Sequence, residues 1–286
     1  MTPLFQRVAV LGVGLIGGSV AAAARARGVA AELVGYAPGD DARDAQALGL
    51  IDSAASDAAS AARGADLIVL AAPIPAMQGL LAQIAGELAP HALVTDTAST
   101  KRSIVAAARS ALGPAFARFV AAHPIAGAET HGPASSRADL FDGCITLLCP
   151  EPETDPQALE RVVGFWTGLG ARVAQMEVQR HDRLFAEISH WPHAAVFTLC
   201  AAIAQGSQAQ DALRFAGAGL RDTTRIGASS AALWADIVLD NRDAVLDCAR
   251  AFERELHAMV EALGRGDRQA LVERFEAASR WRRRLP

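Results

Sequence analysis

Residues 7–19 read RVAVLGVGLIGGS. Arg7–Leu11 is a short apolar run that stops at a glycine, and an Ala-rich helical run follows from Ile16 to Arg27. At the junction, Gly12, Gly14 and Gly17 satisfy G-x-G-x-x-G. The motif is weak alone, but here it sits after a predicted strand and opens a predicted helix. In that setting Gly12 permits the tight turn, Gly14 lets backbone approach a pyrophosphate, and Gly17 lets helix pack on strand. Leu15 and Ile16 open the helix whose free N–H groups and positive dipole end face the phosphates, and Ser19 is placed to add a hydroxyl. The plainer alternative, an ordinary glycine-rich turn, fits this context less well.

The same alternation continues outward. Strands are expected at Glu32–Tyr36, Asp66–Ala71, Ala92–Thr95, Phe119–Ala122, Ile145–Leu148 and Ala171–Gln175. Helices are expected at Asp40–Leu48, Ala76–Leu88, Lys101–Ala111 and Gln157–Leu169. Strands alternating with helices imply a doubly wound α/β unit with a parallel sheet covered on both faces, and strands apolar along their whole length fit that burial. After Glu177 no strand is evident, and residues 179–205, 231–263 and 267–283 read as three helices. The expected boundary lies near residue 176, giving units 1–176 and 177–286. A helical unit this apolar, without a sheet of its own, is expected to bury its faces against another copy as a homodimer.

Composition narrows the partners. The 286 residues carry 27 Lys+Arg and 31 Asp+Glu, a formal charge of −4, which does not suit a phosphate-backbone binder. No nucleic-acid partner is expected, and the basic end at Arg280–Arg284 reads as a solvated helix terminus. The longest apolar stretch, Leu67–Ala85, contains Pro73, Pro75 and Gln78 and reads as strand, loop and helix, so no membrane partner is expected. No leader is evident before the first strand. Cys144, Cys149, Cys200 and Cys248 form no C-x-x-C pair and no zinc spacing, so four buried thiols in a reducing cytoplasm are expected, with no metal. On a strand, Cys144 and Cys149 would face opposite sides.

The second predicted strand ends at Tyr36, next to the ribose position of a dinucleotide. Ala37 stands where an NAD site usually carries an acid, Asp40 and Asp41 come slightly late, and Arg43 is available to a 2′-phosphate. NAD and NADP both remain open. Ala72 and Pro73 suit a loop passing under the cofactor.

Four polar segments carry the chemistry. Thr95–Lys101 (TDTASTK) and His123–Glu129 (HPIAGAE) each follow a strand, at the carboxyl edge where such sheets bind ligands. His181-Asp182 with Ser189–His193 (SHWPH), and Arg221–Arg225 (RDTTR), lie in the helical unit.

With GVGLIGGS at Gly12–Ser19, the continuation HPIAGAETHG, the ADLF segment Ala138–Phe141, and GLRDTTRIGASSAALWADI at Gly219–Ile237, these segments resemble the prephenate/arogenate (cyclohexadienyl) dehydrogenases of tyrosine biosynthesis. The match covers most of the chain, in the family's order. The resemblance implies a Rossmann-type doubly wound domain, a helical dimerisation domain and an active site between them. It also implies oxidative decarboxylation of a cyclohexadienyl substrate with hydride transfer to NAD(P).

By that resemblance, His123 hydrogen-bonds the ring hydroxyl and must be neutral to take its proton, and Ser99 supports this contact. Arg225 grips a substrate carboxylate, for which a bidentate fork is suited. His193 stands beside it, Asp182 and Ser189 are nearby polar groups, and Arg221 adds positive charge. A carboxylate at Glu129 would favour the ammonium of arogenate over the keto group of prephenate. The sequence departs from the pattern at Ala37 and at Trp191, where leucine is common. Two other readings compete. A β-hydroxyacid-type dehydrogenase needs a catalytic lysine in the second domain, whereas the only lysine is Lys101. A nicotinamide-binding redox sensor would not need His123, Ser99 and Arg225 together.

Overall fold

The computed structural model describes residues 2–127 and 130–285. Strand β1 (Phe5–Leu11) runs into the glycine turn and helix α1 (Leu15–Ala26), followed by β2 (Ala30–Tyr36), α2 (Asp41–Ala47) and β3 (Ser53–Ala54). Next come α3 (Ala58–Ala62), β4 (Leu67–Leu70), α4 (Ile74–Ile84), β5 (Leu93–Asp96), α5 (Arg102–Leu112), β6 (Phe119–Pro124), β7 (Ile145–Cys149), α6 (Pro156–Gly168) and β8 (Arg172–Gln175). The eight strands form one sheet in the order β3-β2-β1-β4-β5-β6-β7-β8. Its first six strands have the 3-2-1-4-5-6 order of a doubly wound dinucleotide fold.

Alternation along β1 builds both faces. Val8 and Val10 pack with α1 and α6, through Val20, Phe165 and Trp166. Ala9 and Leu11 pack on the other face with α3, α4 and α5, through Ala61, Leu81 and Ile104. Helix starts follow local chemistry. The Asp155 carboxylate accepts from Gln157 N–H and Pro156 opens α6, an acid cap followed by a residue with no N–H to lose.

The sheet corrects the expected parallel arrangement at one place, since β7 runs antiparallel to β6. Among the described residues between them the one helical piece is the short 3-10 turn Pro133–Ser135, which is no crossover helix able to return the chain in the same direction. The pair β7–β8 spans α6 and is parallel.

From Val178 the chain is helical: α7 (Val178–Phe185), a π-helical turn (Ala186–His190), α8 (Trp191–Ala204), α9 (Ala209–Phe215), α10 (Ala218–Thr224), a 3-10 turn (Arg225–Ala228), α11 (Ala231–Asp240), α12 (Arg242–Gly264) and α13 (Arg268–Arg282). Two of the expected long helices are therefore broken. Pro192 has no N–H and its ring crowds the preceding turn, and the wide π turn lies directly before it. Asn241 separates α11 from α12. The expectation of four buried thiols also changes: all four cysteines are free, but only Cys149 is buried. Among the described residues, no helix is long and apolar enough to cross a membrane.

Candidate active site

The carboxyl ends of β1, β4, β5 and β6 open onto a cleft of about 1220 Å³ whose far wall is helical. Gly12, Gly14, Leu15, Ile16, Tyr36, Ala72 and Pro73 line one end. Ser99, His123, Ser189, His193 and Arg225 line the other.

The glycine turn fits a dinucleotide. Gly12 has φ +99°, and a Cβ there would lie 2.5 Å from the Ala71 carbonyl oxygen. A Cβ on Gly17 would lie 1.8 Å from the Gly12 oxygen, so the close helix–strand approach requires glycine. A Cβ on Gly14 would meet open space. Gly14 also caps α1 without any side-chain bond, leaving the first-turn N–H groups available to an anion. These residues would hold the pyrophosphate, and a bound nicotinamide supplies the hydride acceptor. Ser19 is not on the cleft wall. It is fully buried, and its hydroxyl accepts from Arg137 N–H at 3.0 Å.

His123 stands at the end of β6, 8% exposed. Its Nδ1 lies 2.9 Å from His181 Nε2, and His181 Nδ1 lies 2.9 Å from Asp182 Oδ1. A carboxylate only accepts, so His181 Nδ1 carries a proton. With His181 neutral, its Nε2 accepts from His123 Nδ1–H, which leaves His123 Nε2 as a bare acceptor. Burial first, and then repulsion by the Lys101 ammonium and by His181 and His190 whenever these are protonated, hold the His123 pKa well below its ordinary value. His181 is also lowered, chiefly by burial and against the Asp182 bond. Burial alone would raise Asp182. The bond from His181 and the N–H groups of Arg102 and Lys101 outweigh it and keep the carboxyl below its usual range.

This corrects the expectation for Asp182. It is buried behind the cleft, accepting from Lys101 N–H at 2.8 Å and Arg102 N–H at 3.0 Å, and it reaches the cleft only through two imidazoles. Neither His181 nor Asn241 was singled out as a site residue from sequence. Asn241 is fully buried. Its Nδ2 donates to the Asp182 carbonyl at 2.7 Å and lies 3.1 Å from His190 Nδ1, while its Oδ1 accepts from Arg102 Nη2 at 3.2 Å. His190 faces this amide, and burial first of all brings its pKa down to about 4.

On the helical wall, the His193 ring stacks on Trp234 with centroids 3.4 Å apart and planes at 15°. Its Nδ1 donates to the Ser189 carbonyl at 2.9 Å, which turns Nε2 into the acceptor. Burial lowers its pKa, the Ser189 carbonyl opposes this, and the Arg225 charge adds to it. Arg221 does not reach the cleft. It is exposed and donates to the Ala216 carbonyl at 3.0 Å. Glu129 lies outside the described residues, and Arg43 is paired with Asp40 at 2.9 Å.

The family pattern described as the nucleotide-binding domain of prephenate dehydrogenase matches residues 20–175. The pattern for the dimerization domain of the same enzyme matches residues 177–277. The chain belongs to the prephenate dehydrogenase family. It is similar to the cyclohexadienyl dehydrogenase of Zymomonas mobilis, with 32% identity over 98% of this chain and 96% of the relative. The crystal structure of Aquifex aeolicus prephenate dehydrogenase in complex with hydroxyphenyl propionate and NAD+ superimposes with a TM-score of 0.91, at 31% identity over 98% of both chains. Synechocystis arogenate dehydrogenase superimposes with a TM-score of 0.82, at 27% identity over 98% of this chain and all of the other. As a member of this family the chain is an NAD(P)-dependent dehydrogenase, and the β-hydroxyacid and sensor readings are set aside.

Proposed function

We propose that this chain oxidatively decarboxylates prephenate, arogenate or both, with hydride transfer to NAD(P), as a step of tyrosine biosynthesis. One observation carries the reading. The Asp182–His181–His123 relay presents a neutral acceptor, His123 Nε2, into the cleft shared by the glycine turn and Arg225.

In this reading Nε2 of His123 accepts the proton of the ring hydroxyl as hydride leaves the same carbon for the nicotinamide. The ring–carboxylate bond breaks to release CO₂ and its electron pair aromatises the ring, and the proton then returns to the phenolate oxygen of the product. Ser99 supports the hydroxyl contact. Arg225 takes a substrate carboxylate through its planar fork, and His193, oriented by Trp234, supplies an acceptor beside it. Aromatisation supplies the driving force. Glu129 is proposed to favour the ammonium of arogenate, and an unchanged arogenate/prephenate rate ratio in Glu129→Gln would refute this.

The helical unit, which we take to begin near residue 177, is proposed to form a homodimer, in keeping with the dimerization domain it matches. Its proposed compartment is the cytoplasm, as befits four unpaired thiols.

The test is a two-by-two assay: prephenate or arogenate, each with NAD or NADP, followed by the absorbance of reduced nicotinamide. Turnover in any pairing supports the reaction, and the pattern assigns substrate and cofactor together. No turnover in all four, from folded protein that binds NADH, would overturn it.

A further inference from the structure

The chain's only lysine, in a sequence whose other strong cations are all arginine, is fully buried against Asp96, which is fully buried too. The family reading gave this pair no role. Its placement explains it. The β5–β6 ladder pairs Val94 with Phe119 and Thr95 with Val120, and then stops. Beyond that point the β5-facing edge of β6 has no strand partner among the described residues, although β6 runs on through His123. The two side chains fill the gap. Asp96 Oδ1 accepts from Ala122 N–H at 2.9 Å, and Lys101 Nζ donates to the Ala122 carbonyl at 2.6 Å. Lys101 Nζ also donates to Asp96 Oδ2, which accepts from Ala98 N–H at 2.9 Å. Both backbone groups of the residue preceding His123 are thereby held by one ion pair, and the Lys101 N–H ties the same turn to Asp182 at 2.8 Å.

We propose that Asp96 and Lys101 are positioning residues for His123, replacing the missing ladder with a side-chain clamp on the Ala122 peptide. A slim stem ending in a compact ammonium fits this closed space, and a planar guanidinium does not. The inference rests on the proposed role of His123 as proton acceptor. The clamp also sets the charge that His123 feels. Among the described residues, the titratable and charged groups around the ring include His181 and Asp182 on α7, His190 on the π turn, Asp96 at the end of β5 with Lys101 after it, and Cys149 on β7, with His131, His193 and Arg225 also lining the cleft. Cys149 stays neutral, because burial pushes its thiol up to about 12.

The test uses Lys101→Met, Asp96→Asn and the double variant in the full-length protein. Four readouts are followed: kcat, NADH affinity by fluorescence, the acid limb of the kcat/KM profile, and the histidine Cε1 titrations by NMR. Every variant is expected to lose at least about tenfold in kcat, as misplacement of a reacting group costs, with NADH affinity within about twofold because the glycine turn lies on other strands.

The limb identifies the mechanism. Lys101 disfavours the protonated ring, so Lys101→Met raises the His123 pKa and moves the limb to higher pH. Asp96→Asn leaves the ammonium unopposed and moves it lower. A merely structural pair would lower the folded fraction and leave the limb in place. If neither single variant folds, the double variant, in which no unpaired charge is buried, decides through kcat. Wild-type kcat in the double variant, or a limb unmoved in both folded single variants, overturns the proposal. If the wild type itself turns over no substrate, the functional reading fails separately, and the NMR titration still reports on the clamp.

Discussion

His181 does not itself line the cleft, yet it determines which nitrogen of His123 is free. His181→Asn is expected to break the relay, leaving His123 Nδ1 without an acceptor and Nε2 without an assigned tautomer. The expected outcome is a fall in kcat within the roughly 10²–10⁴-fold range of general-base losses, with little change in the KM for NAD. A kcat within threefold of wild type would show that the relay does not orient His123. Arg225 is different, because it is proposed to bind charge. Arg225→Lys keeps the charge and loses the fork, and is expected to raise the KM for prephenate at least about tenfold. If steady-state kinetics show only a fall in kcat, Arg225 is not a ground-state carboxylate site. Asp182, Ser19 and Arg221 show why residue type alone misleads. Each is a polar residue inside a functional motif, but none lines the cleft: Ser19 and Arg221 bond to backbone, and Asp182 bonds to backbone and to His181 behind His123.

At the scale of elements, the π turn Ala186–His190 is the piece that aims the helical wall, since it carries Ser189 and hands the chain to the helix bearing His193. Pro192→Ala restores the missing N–H, and the helix can close as a regular α-helix. The expected result is an unchanged or higher Tm together with a kcat/KM reduced about tenfold, as Ser189, His190 and His193 rotate together. An unaltered kcat/KM would mean that the wide turn has no catalytic consequence. Pro192 was visible in the sequence, but a proline within an apolar run does not announce a π turn. The Rossmann unit was far more legible, because strand, glycine turn and helix follow local periodicity and turn chemistry. The antiparallel β7 was not, since strand direction depends on what fills the connection. In the cleft, His123, Ser99, His193 and Arg225 could be named from their motifs. His181, Asn241 and the Asp96–Lys101 clamp could not, because their roles arise from contacts between residues as much as 139 positions apart, such as Arg102 with Asn241.

At the scale of the molecule, the seam between the two units holds His123, His181 and His190 as buried neutral groups. Each has a folded pKa below its unfolded value, so the unfolded chain binds more protons, and stability is lost as pH falls below about 6.5, levelling off below the folded values. For His190, taken down to about 4, the loss is on the order of 3 kcal/mol. Tm is therefore expected to fall steadily between pH 7 and 4.5, and a flat Tm across that window would contradict burial in the neutral form. The outer surface of the helical unit leads to a second expectation. Phe252, Leu256, Val260 and Leu263 recur along one stripe of α12 at 45–64% exposure, and Phe275 and Trp281 on α13 are equally uncovered. Helix α8, which carries His193, buries none of its residues within the chain. Stable monomers rarely leave so long an apolar stripe to water, and the proposed second copy would cover it and brace α8. Charging the stripe with Leu256→Arg and Val260→Arg is expected to bring the sedimenting mass from twice the chain's 29.8 kDa down to that value. Because α8 would lose its support, kcat/KM should fall at least about tenfold in the same variant, while NADH binding at the glycine turn persists. A monomeric variant with wild-type kcat/KM would show that each copy holds its own substrate wall unaided.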